Sequence, residues 1–223
     1  MRWNVPNMLT VARLLAAPAF ALCFAIFARP FADILALVLF IVASLTDFLD
    51  GYLARRWGQV SAFGRMLDPI ADKAMVIIAL AVLLGLSGMN PLVVIPAALI
   101  LFREVFVSGL REFLGADAGR LKVTGLAKWK TTVQMVAVIV LLVAGAFQLW
   151  MEQIYYSMDP ARFEAVLAGT ADDPNGLVLT AAACDGAQIA GVILLWLAGI
   201  LTLISGLDYF RKALPFLAES EGS

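Results

Sequence analysis

Apolar residues run through this chain in long, nearly unbroken stretches, without the period-two alternation of strands or the one-sided stripes of water-facing helices. Six stretches, each bounded by turn-forming or charged residues, are long enough to cross a hydrocarbon core of about 30 Å as helices. The first begins at Met8, with Asn7 placed to cap it, and ends near Phe27; the second runs from Asp33 to Arg56 and the third from Arg65 to Leu86. The fourth spans Pro91 to Leu114, the fifth starts at Leu126 and ends near Trp150, and the sixth runs from Gly186 to Tyr209. The longest connection, 151–185, carries Asp159-Pro160 as cap and first helical residue and Gly169 as a stop, which predicts a short helix on the outer surface. The pattern predicts an all-α fold: an integral membrane bundle of six transmembrane helices in a single membrane-embedded domain over residues 1–223, with 151–185 as an external connection.

Composition strengthens that picture. Hydrophobic residues make up 62% of the chain and the mean hydropathy is +0.92, far more apolar surface than a water-soluble domain of this length has use for. The net charge of -1 conceals an asymmetry: of 16 Lys and Arg, only Arg29 and Arg162 fall on the side that the six-span topology places outside. By the positive-inside rule both termini are then cytosolic and the protein is a multi-pass component of the cell inner membrane. The first stretch is read as an uncleaved span, because AFALCFA offers no small-residue cleavage site. Basic residues gather near span ends and form no stripe with exposed aromatics, so nucleic acid is not an expected partner. The chain has no His, which excludes Ser-His and Cys-His nucleophilic schemes. Cys23 and Cys184 have no metal-ligand spacing and read as small apolar packing residues.

Against this background residues 47–72, DFLDGYLARRWGQVSAFGRMLDPIAD, stand out. Ionised carboxylates near hydrocarbon are costly unless paired, hydrated or metal-bound, so four of them at the inner ends of two spans mark a functional site. At 100° per residue, Asp47 and Asp50 lie about 60° apart on one helix, with Gly51 and Ala54 within about 40° of Asp47. Asp68 and Asp72 share a face of the next helix, and Gly64 continues that stripe toward the loop. Asp47 lies roughly 21 Å along its helix from Asp33, toward the inner edge of the bilayer, so the pocket faces the cytosol and is reachable from the lipid. Oxygen ligands without His or Cys suit Mg²⁺, Mn²⁺ or Ca²⁺, and several together suit a two-metal site that clamps phosphate oxygens. The plainer reading makes these acids interface charges neutralised by Arg55, Arg56, Arg65 and Lys73, but that does not account for small residues on the same faces.

A second set is basic. Arg103 and Arg111, eight residues apart on the fourth span, lie on nearly one face, and Lys128 and Lys130 stand at the entrance to the fifth. They read either as positive-inside anchors or as a phosphate cradle. Arg13, early in the first span beside Thr10, is open in the same way: a snorkelling anchor, or a further positive charge for a phosphate.

The acid stretch reads DxxDGxxAR, eight residues, then GxxxDxxxD. That pattern resembles the signature of the CDP-alcohol phosphatidyltransferases, at Asp47, Asp50, Gly51, Ala54, Arg55, Gly64, Asp68 and Asp72. NVPNMLTVAR, REVFVSGLRE and GLAKWKTTVQM resemble the branch of the family that takes glycerol 3-phosphate. The resemblance covers most of residues 4–150 and, more loosely, the sixth span. It implies transfer of a phosphatidyl group from CDP-diacylglycerol to glycerol 3-phosphate with release of CMP, in phospholipid biosynthesis, using two divalent cations, Mg²⁺ or Mn²⁺. It implies metal ligation by Asp47, Asp50, Asp68 and Asp72, with Asp72 the base on the acceptor hydroxyl. Asp50, Gly51, Ala54, Arg55 and Gly64 would meet the nucleotide, and Arg103, Arg111, Lys128 and Lys130 the acceptor phosphate. A homodimer among membrane lipids is also implied. Inositol phosphate fits the basic set on charge alone, whereas serine has no phosphate to hold. An intramembrane prenyltransferase would want two separated Asp-rich sites, and an ion path would need polar residues through AMVIIALAVLLGL.

Overall fold

The computed structural model describes the backbone of residues 4–59, 61–115, 119 and 126–219 and, within these, the side chains outside 48–55, 126–128 and 217–219. The described residues form helices joined by short turns and connections, with no strand among them. In chain order the helices are α1 (Val5–Ile26), α2 (Phe31–Arg56), α3 (Ala62–Leu86), α4 (Pro91–Leu114), α5 (Leu126–Ser157), α6 (Pro160–Leu167) and α7 (Leu177–Glu219). Five of them, α1, α3, α4, α5 and α7, contain segments long and apolar enough to cross a membrane. Their polarity is arranged for lipid: Arg13, Arg103, Glu104, Lys130 and Gln134 are buried, while Leu15, Ile26, Phe102 and Val105 are more than half exposed. The chain is a multi-pass membrane protein.

Several boundaries differ from those the apolar pattern predicts: α2 starts at Phe31 and not Asp33, α3 starts at Ala62 and not Arg65, and α7 runs on past Tyr209 to Glu219. α1 starts at Val5, because Asn4 rather than Asn7 is the cap: its Oδ1 accepts from the Asn7 N–H at 2.9 Å. Pro6 lies in the first turn, where its missing N–H costs nothing. α5 continues past Trp150 to Ser157. α7 begins at Leu177 and not at Gly186, because Asp173 accepts from the N–H groups of Leu177 at 2.7 Å and Val178 at 2.9 Å. The connection between α5 and α7 therefore narrows to 158–176, and α6 occupies much of it.

The chain divides into two compact units. One comprises residues 1–83 and 138–191. In it α1 packs on α2, where Ala32, Ala36 and Ala43 are buried and small enough to let the backbones approach, and Phe20 meets Phe40 with ring centroids 5.8 Å apart. Gly191 serves the same purpose between α7 and α5: a Cβ there would stand 2.7 Å from Leu141 Cδ2. Ile154, Val166 and Leu177 form a small core that ties α6 to the ends of α5 and α7.

The other unit comprises residues 84–137 and 192–223. α4 and α7 meet closely there, with Gly199 against Pro96 and Gly206 against the Arg103 side chain. Gln134 donates to Thr202 Oγ1 at 2.9 Å, and the Trp196 indole N–H donates to the Leu92 carbonyl at 3.0 Å. In lipid such interhelical hydrogen bonds satisfy groups that have no water to turn to.

Candidate active site

The acid stripe is held from one side by α1. Ser61 caps α3: its Oγ accepts from the Gly64 N–H at 2.9 Å, and its hydroxyl donates to Asn7 Oδ1 at 2.7 Å. Asn4 Nδ2 donates to the Gln59 carbonyl at 2.9 Å, tying the start of α1 to the connection between α2 and α3. One turn on, the Thr10 hydroxyl donates to Asp68 Oδ1 at 2.7 Å. Another turn on, a single nitrogen of Arg13, Nη1, donates to Asp47 Oδ1 of α2 and to Asp72 Oδ1 of α3. Asn7, Thr10 and Arg13, three residues apart along α1, thus address Gly64, Asp68 and Asp72, four apart along α3.

Arg13 does not sit as a snorkelling anchor would. Its side chain is only 1% exposed, whereas Asp47 and Asp72 are 36% and 35% exposed. A snorkelling arginine keeps its head in water, and this one is sealed against two carboxylates on two other helices. Gly64 lies against α1: a Cβ there would stand 2.9 Å from Asn7 Oδ1 and 4.0 Å from Asp68 Oδ2. The backbone of Asp50, Gly51, Ala54 and Arg55 continues α2, and their side chains lie outside the described residues.

Among the described residues no group of three or more Asp, Glu, His or Cys converges as a metal site. The donor set nonetheless suits a divalent cation. Asp47 and Asp72 already bring two carboxylate oxygens to one positively charged atom, Asp68 lies one turn from Asp72, and all are hard oxygen donors.

The basic set belongs to the second unit. Arg103 and Lys130 are buried, and both donate to the same oxygen, Glu104 Oε1, with Arg103 Nη1 at 3.0 Å. Arg103 Nη2 also reaches Ser205 Oγ at 3.4 Å, and its Nε is buried with no hydrogen-bond partner among the described residues. The Arg111 guanidinium lies 5.1 Å from the centroid of the Tyr209 ring, a cation–π contact. The Lys128 side chain lies outside the described residues. Two residues with central places here, Glu104 and Thr10, were not singled out for these roles by the sequence reasoning. Glu104 adjoins Arg103 in REVFVSGLRE, and the three-residue spacing of Asn7, Thr10 and Arg13 was the available signal for α1.

The described residues thus form a helical membrane protein in which an Asp pair is drawn together across α2 and α3. A sequence model described as CDP-alcohol phosphatidyltransferase matches residues 3–158, and the chain belongs to that family. Three curated relatives bear the name CDP-diacylglycerol--glycerol-3-phosphate 3-phosphatidyltransferase. The one from Cereibacter sphaeroides is 54% identical over 99% of this chain and 100% of its own length. That from Rickettsia bellii is 38% identical over 93% of this chain and 94% of its own length. That from Escherichia coli is 35% identical over 96% of each chain.

Proposed function

We propose that this protein transfers the phosphatidyl group of CDP-diacylglycerol to glycerol 3-phosphate, yielding phosphatidylglycerophosphate and CMP. The observation that carries the reading is the convergence of Asp47 and Asp72 on one cationic atom within a chain of this family, together with full-length relatives named for that reaction. The acceptor hydroxyl oxygen bonds to the phosphorus that carries the diacylglycerol. The bond from that phosphorus to CMP breaks, and CMP leaves with the electron pair. The hydroxyl proton passes to Asp72.

Asp47, Asp50, Asp68 and Asp72 would hold two divalent cations, Mg²⁺ or Mn²⁺, which when bound neutralise the diphosphate and acidify the acceptor hydroxyl. Asp50, Gly51, Ala54, Arg55 and Gly64 admit and orient the nucleotide, with small residues where the ligand must come close to backbone. Arg103, Arg111, Lys128 and Lys130 hold the phosphate of the acceptor, a dianion that charge-assisted donors suit. We read the chain as a single catalytic domain with six spans, α2 being the sixth alongside the five above. Both termini and the acid pocket face the cytosol of the cell inner membrane, and the protein works as a homodimer among membrane lipids.

The test is CMP release by purified protein in detergent with CDP-diacylglycerol and Mg²⁺ or Mn²⁺, comparing glycerol 3-phosphate, inositol phosphate, serine and no acceptor. Metal-dependent release with glycerol 3-phosphate alone is the expected result. Release with inositol phosphate instead would reassign the basic set, and no metal-dependent release with any acceptor would overturn the reading.

A further inference from the structure

The family signature lies entirely on α2 and α3, yet the group that brings its acids together comes from α1. Two carboxylates that share one point repel strongly in a medium of low dielectric, and an arrangement of this kind needs positive charge at that point. Arg13 supplies it. Its side chain is 1% exposed, it bonds Asp47 and Asp72 through one nitrogen, and Thr10 on the preceding turn holds Asp68 at 2.7 Å. These bonds occupy carboxylate oxygens of the kind a metal would need.

We propose that Arg13 is a positioning residue of the acid site: its guanidinium is the resident counter-cation that keeps Asp47 and Asp72 gathered, and a divalent cation enters by taking their oxygens from it. The inference rests on reading these acids as metal ligands. Metal binding is then an exchange of one positive charge for another and not the filling of a bare anionic hole. It follows that Arg13 stabilises the metal-free protein and weakens metal binding at once. A residue that merely packed the helix would do only the first.

The experiment uses full-length protein in detergent without substrates, as wild type, Arg13→Gln, Arg13→Lys, Arg13→Gln/Asp72→Asn and Asp68→Asn. Thermal unfolding is followed in EDTA and in millimolar Mg²⁺, and Mn²⁺ affinity is measured by electron paramagnetic resonance. Arg13→Gln is expected to unfold at lower temperature in EDTA, to gain more from Mg²⁺ than wild type does, and to bind Mn²⁺ about tenfold more tightly, a change of about 1.4 kcal/mol. Arg13→Lys restores much of the stability in EDTA because the charge is kept. Arg13→Gln/Asp72→Asn restores it because one of the two repelling charges is gone.

The proposal is overturned if Arg13→Gln binds Mn²⁺ no more tightly than wild type, or if the double variant is as unstable in EDTA as Arg13→Gln. It is equally overturned if neither of those two variants can be recovered folded, even with Mg²⁺. If wild type binds Mn²⁺, Asp68→Asn does not, and Arg13→Gln matches wild type, the metal site stands and the role of Arg13 falls. If wild type itself binds no Mn²⁺, both fall.

Discussion

Replacing Glu104 by Gln tests the most heavily loaded charge in the second unit. Glu104 Oε1 receives Arg103 Nη1 at 3.0 Å and Lys130 Nζ, and all three residues are buried. Each such charge-assisted bond contributes about 1.5–3 kcal/mol, and an amide oxygen in the same place retains about 1 kcal/mol of each. The change therefore costs about 1–4 kcal/mol, its upper part overlapping what breaking a buried ion pair costs when one partner remains. Two buried cations left facing no anion add to that loss. Unfolding of purified protein in detergent, by heat or by titration with a denaturing detergent, measures the change directly. The reasoning makes a second demand: Lys130→Met on the Glu104→Gln background should recover part of the loss, since one of the stranded charges is gone. If Glu104→Gln is as stable as wild type, or if adding Lys130→Met only deepens the loss, then Glu104 does not carry the charge balance of α4 and α5.

Asp68→Asn should abolish CMP release while the protein still inserts and folds; near-normal turnover would remove Asp68 from the metal ligands. Lys130→Ala should act mainly on the apparent KM for glycerol 3-phosphate, and an effect confined to kcat would refute a binding role. Gly64→Ala places a methyl group 2.9 Å from Asn7 Oδ1, so the Asn7 side chain must give way and its bond from Ser61 is strained; a destabilisation of about 1–2 kcal/mol is expected, and unchanged unfolding would show that α1 yields freely there. Asp173 has its carboxyl held below the ordinary carboxylate range, first by the Val178 N–H and then by that of Leu177. Its capping contribution is accordingly full above the ordinary carboxylate pKa and is lost as pH falls through the lowered value, so Asp173→Asn should flatten the acid limb of an unfolding-against-pH curve; an unchanged limb would mean the cap does not titrate.

Much of the helical order was legible because lipid-spanning helices announce themselves by length and apolarity. α4 occupies Pro91–Leu114 as the pattern predicts, since Asn90 accepts from the Leu92 N–H at 3.0 Å and Gly115 closes the other end with φ of 51°. Ends set by a single polar side chain were harder. Asn4 and Asn7 are equally good caps on paper, and only the requirements of Pro6 and Ser61 separate them. Asp173 lies in the polar stretch TADDPNG, and only the contact of its two oxygens with the first N–H groups of α7 makes it a cap. The acids of α2 and α3 were legible because charge is conspicuous in an apolar helix. What α1 does with them was not, because the contact joins residues 34 and 59 positions apart in sequence. Arg13 looks the same at sequence level whether its head points to water or to carboxylates.

Both charged clusters solve one problem in mirror image. An ionisable side chain in a membrane protein must be neutral, hydrated or paired, and a site for a charged substrate has to exist before the substrate arrives. Asp47 and Asp72 are paired with a cation of their own chain, Arg13, while Arg103 and Lys130 are paired with an anion of their own chain, Glu104. Each cluster therefore carries an internal counter-ion, and on the roles proposed above an incoming metal or phosphate would replace a partner already in place. That would limit how tightly either cluster binds, because the affinity observed would be the difference between the new pairing and the one given up. It also separates folding from binding as selective pressures on the same residues. Removing an internal counter-ion should weaken the protein and strengthen the site, whereas removing a ligand should weaken the site and, with one repelling charge fewer, leave the fold intact or improved.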